Sequence, residues 1–490
     1  MRQSGVILHI SSLPSPYGIG TVGKEARQFV DFLVEAGMCY WQILPLGEIN
    51  ESNSPYQSPS VFAGNPLFID LEQLCEEGLL NKSELEQTFW GHDPRRVDFP
   101  AVKEGRDRLL RLAWQRCGSK LDEKLEAFSR ENEYWLPDYM RFMTMQELGS
   151  ALSPVLRQGL RQRQQEALAE FDEEYKPFQR YYLFLQYLFF NQWQQLREYA
   201  NQKGISFIGD IPIYVAASSA DVWAHSELFQ MDENGNMSGQ AGCPPDAFAA
   251  DGQMWGNPLY DWDEMAKQDY YWWAQRLKQC HRLCDKVRLD HFRGFEAYFN
   301  IPSSAQKATE GHWVKGPGVA FFDAMKRQVE NLDLIVEDLG TLSEEVHTLR
   351  QQIGCPGMAV LQFAFDGNRS NIYLPHNMTR DRIMYAGTHD NDTLSGWYWS
   401  LPDWQRAYCG FYTRPGAERP WWDLLGTAWS TVCDLAMAQM QDFLGLDSSC
   451  RMNIPGSSKN NWAWRMLPWE MNSRLARDIL ELNRLYGRAE

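Results

Sequence analysis

The segment Lys286-Val-Arg288-Leu-Asp290-His291-Phe-Arg293 sets one carboxylate between two guanidinium groups and beside an imidazole. Neighbouring cations favour the ionised form of a carboxyl and lower its pKa. Such an anion can attack an electrophilic carbon or stabilise a developing cation. Alone, the segment reads equally well as a surface ion-pair cluster at the end of a strand. Four other acids follow the same plan. Asp210, Glu337, Asp366 and Asp390 each stand at or just past the end of a short apolar run. Solvated surface charge does not explain five such coincidences, so a shared acidic pocket is the expectation. Arg288, Arg293, His291 and His389 are interleaved with these acids, which disfavours an oxygen cage for a cation. No metal is expected, and no other cofactor.

Paired carboxylates beside aromatic rings are the equipment of glycosyl transfer. One must be ionised to attack or stabilise the anomeric carbon, and another must hold a proton for the leaving oxygen. Arg288 beside Asp290 favours ionisation of Asp290. Glu337 follows the apolar run Leu334-Ile-Val336, so burial near other anions should raise its pKa.

These acids need a scaffold that aims strand ends at one place. Alternating and helical apolar periods predict strands over 5–10, 39–44, 205–208, 286–290, 334–336, 358–365, 382–386 and 448–454. Helical segments follow most of them, including 24–36, 178–203, 264–284, 319–331, 343–353, 421–443 and 470–486. Eight alternating units predict an α/β fold, a (β/α)8 TIM barrel, with catalytic groups at the C-terminal ends of its strands. Residues 1–490 read as a single catalytic barrel without a separate C-terminal β domain. Charged helical text over approximately 71–177 reads as a helical insertion subdomain. A polar stretch over approximately 211–262 reads as a long loop insertion over the active site.

Composition narrows the partners. The 490 residues carry 47 Lys+Arg against 64 Asp+Glu, a formal charge of -17, with no basic block. Nucleic acid and anionic membranes are therefore not expected. The longest apolar run, 181–190, is short and includes Gln186, so no bilayer span is expected. The apolar start at 6–10 is too short for a signal-peptide core. The ten cysteines are scattered, as expected of reduced thiols in a cytoplasmic protein. Cys280-His281-Arg-Leu-Cys284 has metal-type residues at helical spacing but no second pair. Gly18-Ile-Gly20-Thr-Val-Gly23 fits a dinucleotide fingerprint, yet a Ser/Pro-rich loop separates it from the first strand, where a tight turn is needed. Aromatics make up 13 % of the chain, with 20 tryptophans, many of them in polar loops. Flat rings with polar neighbours are platforms for amphipathic ligands such as sugars.

Eleven motifs sharpen this reading: Ser15-Pro-Tyr-Gly-Ile-Gly20, Trp41-Gln-Ile-Leu-Pro45, Ser54-Pro-Tyr-Gln-Ser58, Phe62-Ala-Gly-Asn-Pro66, Asp210-Ile-Pro-Ile-Tyr214, Pro244-Pro-Asp-Ala-Phe248, Gly252-Gln-Met-Trp-Gly-Asn-Pro258, Arg288-Leu-Asp-His-Phe-Arg293, Glu337-Asp-Leu-Gly340, Gly387-Thr-His-Asp-Asn-Asp392 and Asn461-Trp-Ala-Trp-Arg465. Together they resemble the 4-α-glucanotransferases (amylomaltase, or disproportionating enzyme) of the α-amylase superfamily, nearly end to end. The resemblance is interrupted at Gly47-Glu-Ile-Asn-Glu-Ser-Asn53, where Pro-Thr-Gly-Tyr-Gly-type text usually precedes Ser-Pro-Tyr. It implies Asp290 as nucleophile, Glu337 as acid/base and Asp390 as transition-state stabiliser. It implies Arg288, His389 and Asp210 as a supporting shell that binds substrate. Tyr56, Phe248, Trp255, Asp366 and Asn461 are the implied glucan-binding residues. The implied partners are α-1,4-glucans and maltooligosaccharides, as donor and acceptor. Two alternatives stay open at this point: an α-1,4-glucan hydrolase with the same trio, and a non-catalytic glucan-binding protein.

Overall fold

Alternation along the strands builds the architecture. The computed structural model describes residues 2–232, 234–245, 251–340, 342–414, 418–457 and 459–490. In chain order its strands are β1 (Gln3–Ile7), β2 (Tyr40–Gln42), β3 (Ser206–Ile211), β4 (Gly239–Cys243), β5 (Gln253–Pro258), β6 (Lys286–Leu289), β7 (Ala297–Pro302), β8 (His312–Lys315), β9 (Leu334–Val336), β10 (Gly357–Val360), β11 (Arg382–Tyr385) and β12 (Leu435–Gln439). Eight of them close a parallel barrel in the order β1-β12-β11-β10-β9-β6-β3-β2. The other four form a small antiparallel sheet, β5-β4-β7-β8, after β3 and β6. This is the (β/α)8 barrel expected from the sequence.

Successive side chains of a strand point to opposite faces, and the apolar residues sort accordingly. Ile7, Ile208, Ile335, Met358, Val360, Ile383, Tyr385, Leu435 and Met437 form one buried cluster, which fills the barrel. Their neighbours Val6, Phe207, Val336, Ala359, Met384, Ala436 and Ala438 belong to the larger cluster between strands and helices. Each fully buried aliphatic side chain contributes about 1.5–3 kcal/mol. Arg288 lies in register with Ile335 on one side and Asp210 on the other. It therefore points into the barrel, where β6 supplies charge instead of a hydrophobe.

Between β2 and β3 the chain runs through helices Leu71–Glu76, Lys82–Glu86, Phe99–Cys117, Asp122–Glu131, Leu136–Leu148, Pro154–Arg161, Gln165–Glu174 and Lys176–Gln202. Part of the 211–262 stretch is sheet, not loop, since β4 and β5 lie in it. No helix among the described residues is long and apolar enough to cross a membrane. The glycine-rich decoy is a packing feature. A Cβ on Gly20 would fall 1.9 Å from the Ile10 carbonyl oxygen.

Two strands differ from expectation. The eighth strand is β12 at Leu435–Gln439, and Ser448–Cys450 is a 3-10 helix. The β12 sequence, Leu-Ala-Met-Ala-Gln, is made of strong helix formers. Pairing with β1 and β11 overrides that propensity. The sixth strand, β10, stops at Val360 and gives way to a 3-10 helix at Leu361–Phe363, so Asp366 does not sit at a strand end.

Gly209 shows how closely the layers meet. A Cβ there would lie 2.5 Å from Cys284 Sγ and 3.4 Å from Cys280 Sγ, on the helix Tyr271–Leu283 and its cap. Gly209→Ala is expected to destabilise the fold by about 1–3 kcal/mol, read as a lowered urea midpoint. Adding Cys284→Ala should recover part of the loss. Simple additivity of the two would show that no clash is being relieved.

Candidate active site

The polar layer begins at Asp210 and Arg288, level with Ile335 of the apolar fill. The Arg288 guanidinium donates to both oxygens of Asp210 at 2.7 Å and 2.7 Å. Its other terminal nitrogen lies 2.9 Å from Asp290 Oδ1. Arg288 and Asp210 are buried, whereas the Asp290 side chain keeps 26 % of its surface open. A buried charge left unpaired costs several kcal/mol, so Arg288 needs both acids. Burial opposes its charge, but Asp210 and Asp290 outweigh that and hold its pKa well above the ordinary value. Burial likewise pushes the Asp210 carboxyl up, and Arg288 pulls it back down.

Asp290 directly follows β6, and Glu337 directly follows β9. Two backbone N–H groups grip Glu337. His291 N–H donates to Oε2 at 2.8 Å and Leu339 N–H to Oε1 at 3.0 Å. His291 reaches it by adopting a left-handed backbone, φ 49°, a conformation uncommon outside glycine. The Glu337 side chain is half-buried in the protein. That desolvation, followed by the negative charge of Asp290, pushes its pKa up to about 8. Burial takes the His291 imidazole the other way, down to about 4. Neutral, it stands edge-on to Trp255, with ring centroids 4.9 Å apart.

A chain of polar contacts runs from this pair to Asp390. The Tyr56 hydroxyl donates to Asp210 Oδ2 at 2.8 Å and lies 2.8 Å from His389 Nε2. His389 Nε2 is 3.4 Å from Asp390 Oδ2. The other carboxylate oxygen, Asp390 Oδ1, accepts from Asn453 Nδ2 at 2.6 Å. The Tyr56 and His389 rings stack at 5.3 Å, and Trp462 packs against both.

Eight of the candidate residues thus meet: Asp290, Glu337, Asp390, Arg288, Asp210, Tyr56, His389 and, through His291, Trp255. Two stand apart. Asp366 is exposed and accepts from the backbone of Asn368 at 2.8 Å. Asn461 turns its amide onto its own loop, bonding Ile454 and Ser457. Phe248 lies outside the described residues. Asn453, Arg451 and Trp462 do not stand out from the sequence as candidates. Trp462 was legible, since it comes directly after Asn461 in the motif Asn461-Trp-Ala-Trp-Arg465. Asn453 was hidden inside the misplaced strand 448–454.

Known proteins resemble this chain along nearly its whole length. Residues 8–471 match the family described as 4-alpha-glucanotransferase. The chain belongs to that family. The transferase is 44 % identical over 492 aligned residues to the 4-alpha-glucanotransferase of Streptococcus pneumoniae, covering 99 % of this chain and 97 % of the relative. It is 43 % identical to that of Thermus thermophilus, covering 96 % of each chain. Its backbone matches the amylomaltase from Streptococcus agalactiae, solved in complex with acarbose, with TM-score 0.96 and 38 % identity over 100 % of both chains. The activity is glucan transglycosylation, and nothing in these comparisons favours the hydrolase or the non-catalytic alternative.

The two influences on Glu337 can be separated. In Asp290→Asn the negative neighbour is gone while burial persists. The Glu337 pKa should fall below about 8 yet stay above an ordinary glutamate. A carboxyl infrared titration of this variant reads it directly. An unchanged value would mean that Asp290 does not act on Glu337.

Proposed function

We propose that the transferase works by retaining double displacement on α-1,4-glucans and maltooligosaccharides. Asp290 attacks C1 of the donor glucose while Glu337 protonates the departing O4. The C1–O4 bond breaks as the Asp290–C1 bond forms, and the leaving chain carries away the Glu337 proton. The 4-hydroxyl of an acceptor glucan then attacks C1. Glu337 takes that hydroxyl's proton, and Asp290 leaves as the carboxylate. Asp390 stabilises the oxocarbenium-like transition states of both steps. Arg288, Asp210, Tyr56 and His389 hold these carboxylates and the sugar in place.

One observation carries the reading. Two carboxyls from neighbouring strands sit in opposite environments, Asp290 ion-paired to Arg288 at 2.9 Å and Glu337 half-buried and pushed up to about 8. Such a divergence separates the acid from the nucleophile. The amylomaltase relative was solved in complex with acarbose, which supports a glucan ligand for this chain. One α-1,4 bond replaces another, so transfer prevails only if an acceptor sugar reaches the intermediate before water does. Trp255 against His291 supplies an apolar wall beside Asp290 for that purpose.

Incubation with maltotriose should give glucose plus longer oligomers; shortening alone would mean hydrolysis. Asp290→Ala should lower turnover by at least about 10⁴-fold while glucan binding persists. Undiminished turnover would remove Asp290 as nucleophile. Glu337 holds its proton below its raised pKa and loses it above, so kcat/KM should fall as pH rises through about 8. In Glu337→Gln that alkaline limb should disappear along with most of the activity.

A further inference from the structure

We infer that Asn453 is the positioning residue that orients the Asp390 carboxylate for glycosyl transfer. The inference rests on the role given to Asp390 above. It starts from the loop 451–462, on the active-site face beyond β12. Its neck is closed by the Trp462 N–H, which donates to the Met452 carbonyl at 2.7 Å. Asn461 staples its interior, accepting from Ile454 N–H at 3.0 Å and donating to the Ser457 carbonyl at 2.6 Å. From the helical region, Arg96 donates to the Asn460 carbonyl at 2.8 Å. The described residues of this segment are thus held by contacts among themselves and by one from Arg96.

Both sides of the neck reach the site. On one side Trp462 packs its ring against Tyr56 and His389. On the other side Arg451 donates to the Asp390 backbone carbonyl at 2.6 Å and to the Asn453 carbonyl at 2.7 Å. Asn453 then donates to Asp390 Oδ1 at 2.6 Å. Main chain and side chain of Asp390 are therefore held by the same short stretch.

The chemistry explains why an amide stands there. The Asp390 side chain is 40 % open to solvent, and its terminal torsion is intrinsically soft. Left alone, the carboxylate would rotate in the cleft, and misplaced groups lose much of their catalytic effect. A lysine or arginine in contact would fix the rotation but offset the negative charge the transition state needs. A neutral N–H donor fixes the plane and keeps the charge. Lone pairs left free on the two oxygens remain available to sugar hydroxyls. Asn453 touches Asp390 and not the reacting atoms, so it acts through Asp390.

The test compares Asn453→Ala, Asn453→Asp and Asp390→Asn with the unmodified protein on maltotriose. Asp390→Asn should be nearly inactive. If it keeps normal turnover, the role of Asp390 fails and this inference falls with it. Given an inactive Asp390→Asn, Asn453→Ala should lose about 10- to 100-fold in kcat. Its KM should stay within about twofold and its melting temperature near that of the parent, because only transition-state stabilisation is weakened. Normal kcat in Asn453→Ala overturns the positioning role and leaves Asp390's role intact. So does a loss of activity that merely tracks a fall in melting temperature. Asn453→Asp replaces the donor by a second carboxylate, which repels the Asp390 carboxylate instead of holding it. It should lose at least as much kcat as Asn453→Ala, again with little change in KM. Normal kcat in Asn453→Asp overturns the inference even if Asn453→Ala does not fold.

Discussion

The Arg288 guanidinium is the charge around which the centre is built. It stands inside the barrel, in register with Asp210 and Ile335, where β6 offers no hydrophobe. A cation so placed demands anions, and Asp210 and Asp290 supply them within 2.9 Å. That demand orients the proposed nucleophile before substrate binds. It also ties Tyr56 to the network, since Asp210 accepts from its hydroxyl while Arg288 holds both of its oxygens. Replacing one buried partner would strand the others, so the cluster behaves as a unit.

The same anion shapes its neighbour. Asp290 carries the negative charge that, after burial, contributes most to raising Glu337. Burial and charge thereby set Glu337 apart from the more open Asp290 on the adjacent strand. The backbone takes part as well. His291 accepts an uncommon left-handed conformation so that its N–H can meet Glu337 Oε2, and its ring then supports Trp255. A single residue links Glu337 to Trp255.

Asp390 is held differently. It lies beyond the end of β11, outside the strand ladder, and is secured by contacts from elsewhere. His389 lies near one of its oxygens, and the loop after β12 holds the other and the main chain. The trio thus combines two groups fixed by the barrel ladder with one fixed by a tethered loop. This division suits a site that must grip a sugar while long chains enter and leave.

The sequence by itself determined the alternation of apolar strands and helices, and with it the barrel. It also determined the acids at the ends of β6 and β9, because residue order dictates which side chain stands next after a strand. The motifs carried the family and most of the polar network. Position in space decided the rest. Leu435–Gln439 is written in helix formers and becomes a strand only because β1 and β11 leave an edge to be paired. That placement frees 451–462 to be a loop, and it turns Asn453 from an expected strand residue into the partner of Asp390. Asp366 and Asn461 look alike to the other candidates in sequence, yet one turns to its own turn and the other to its own loop. Local periodicity records which residues share an element. Which side chains meet across 63 residues of chain, as Asp390 and Asn453 do, is settled only by the closure of the barrel.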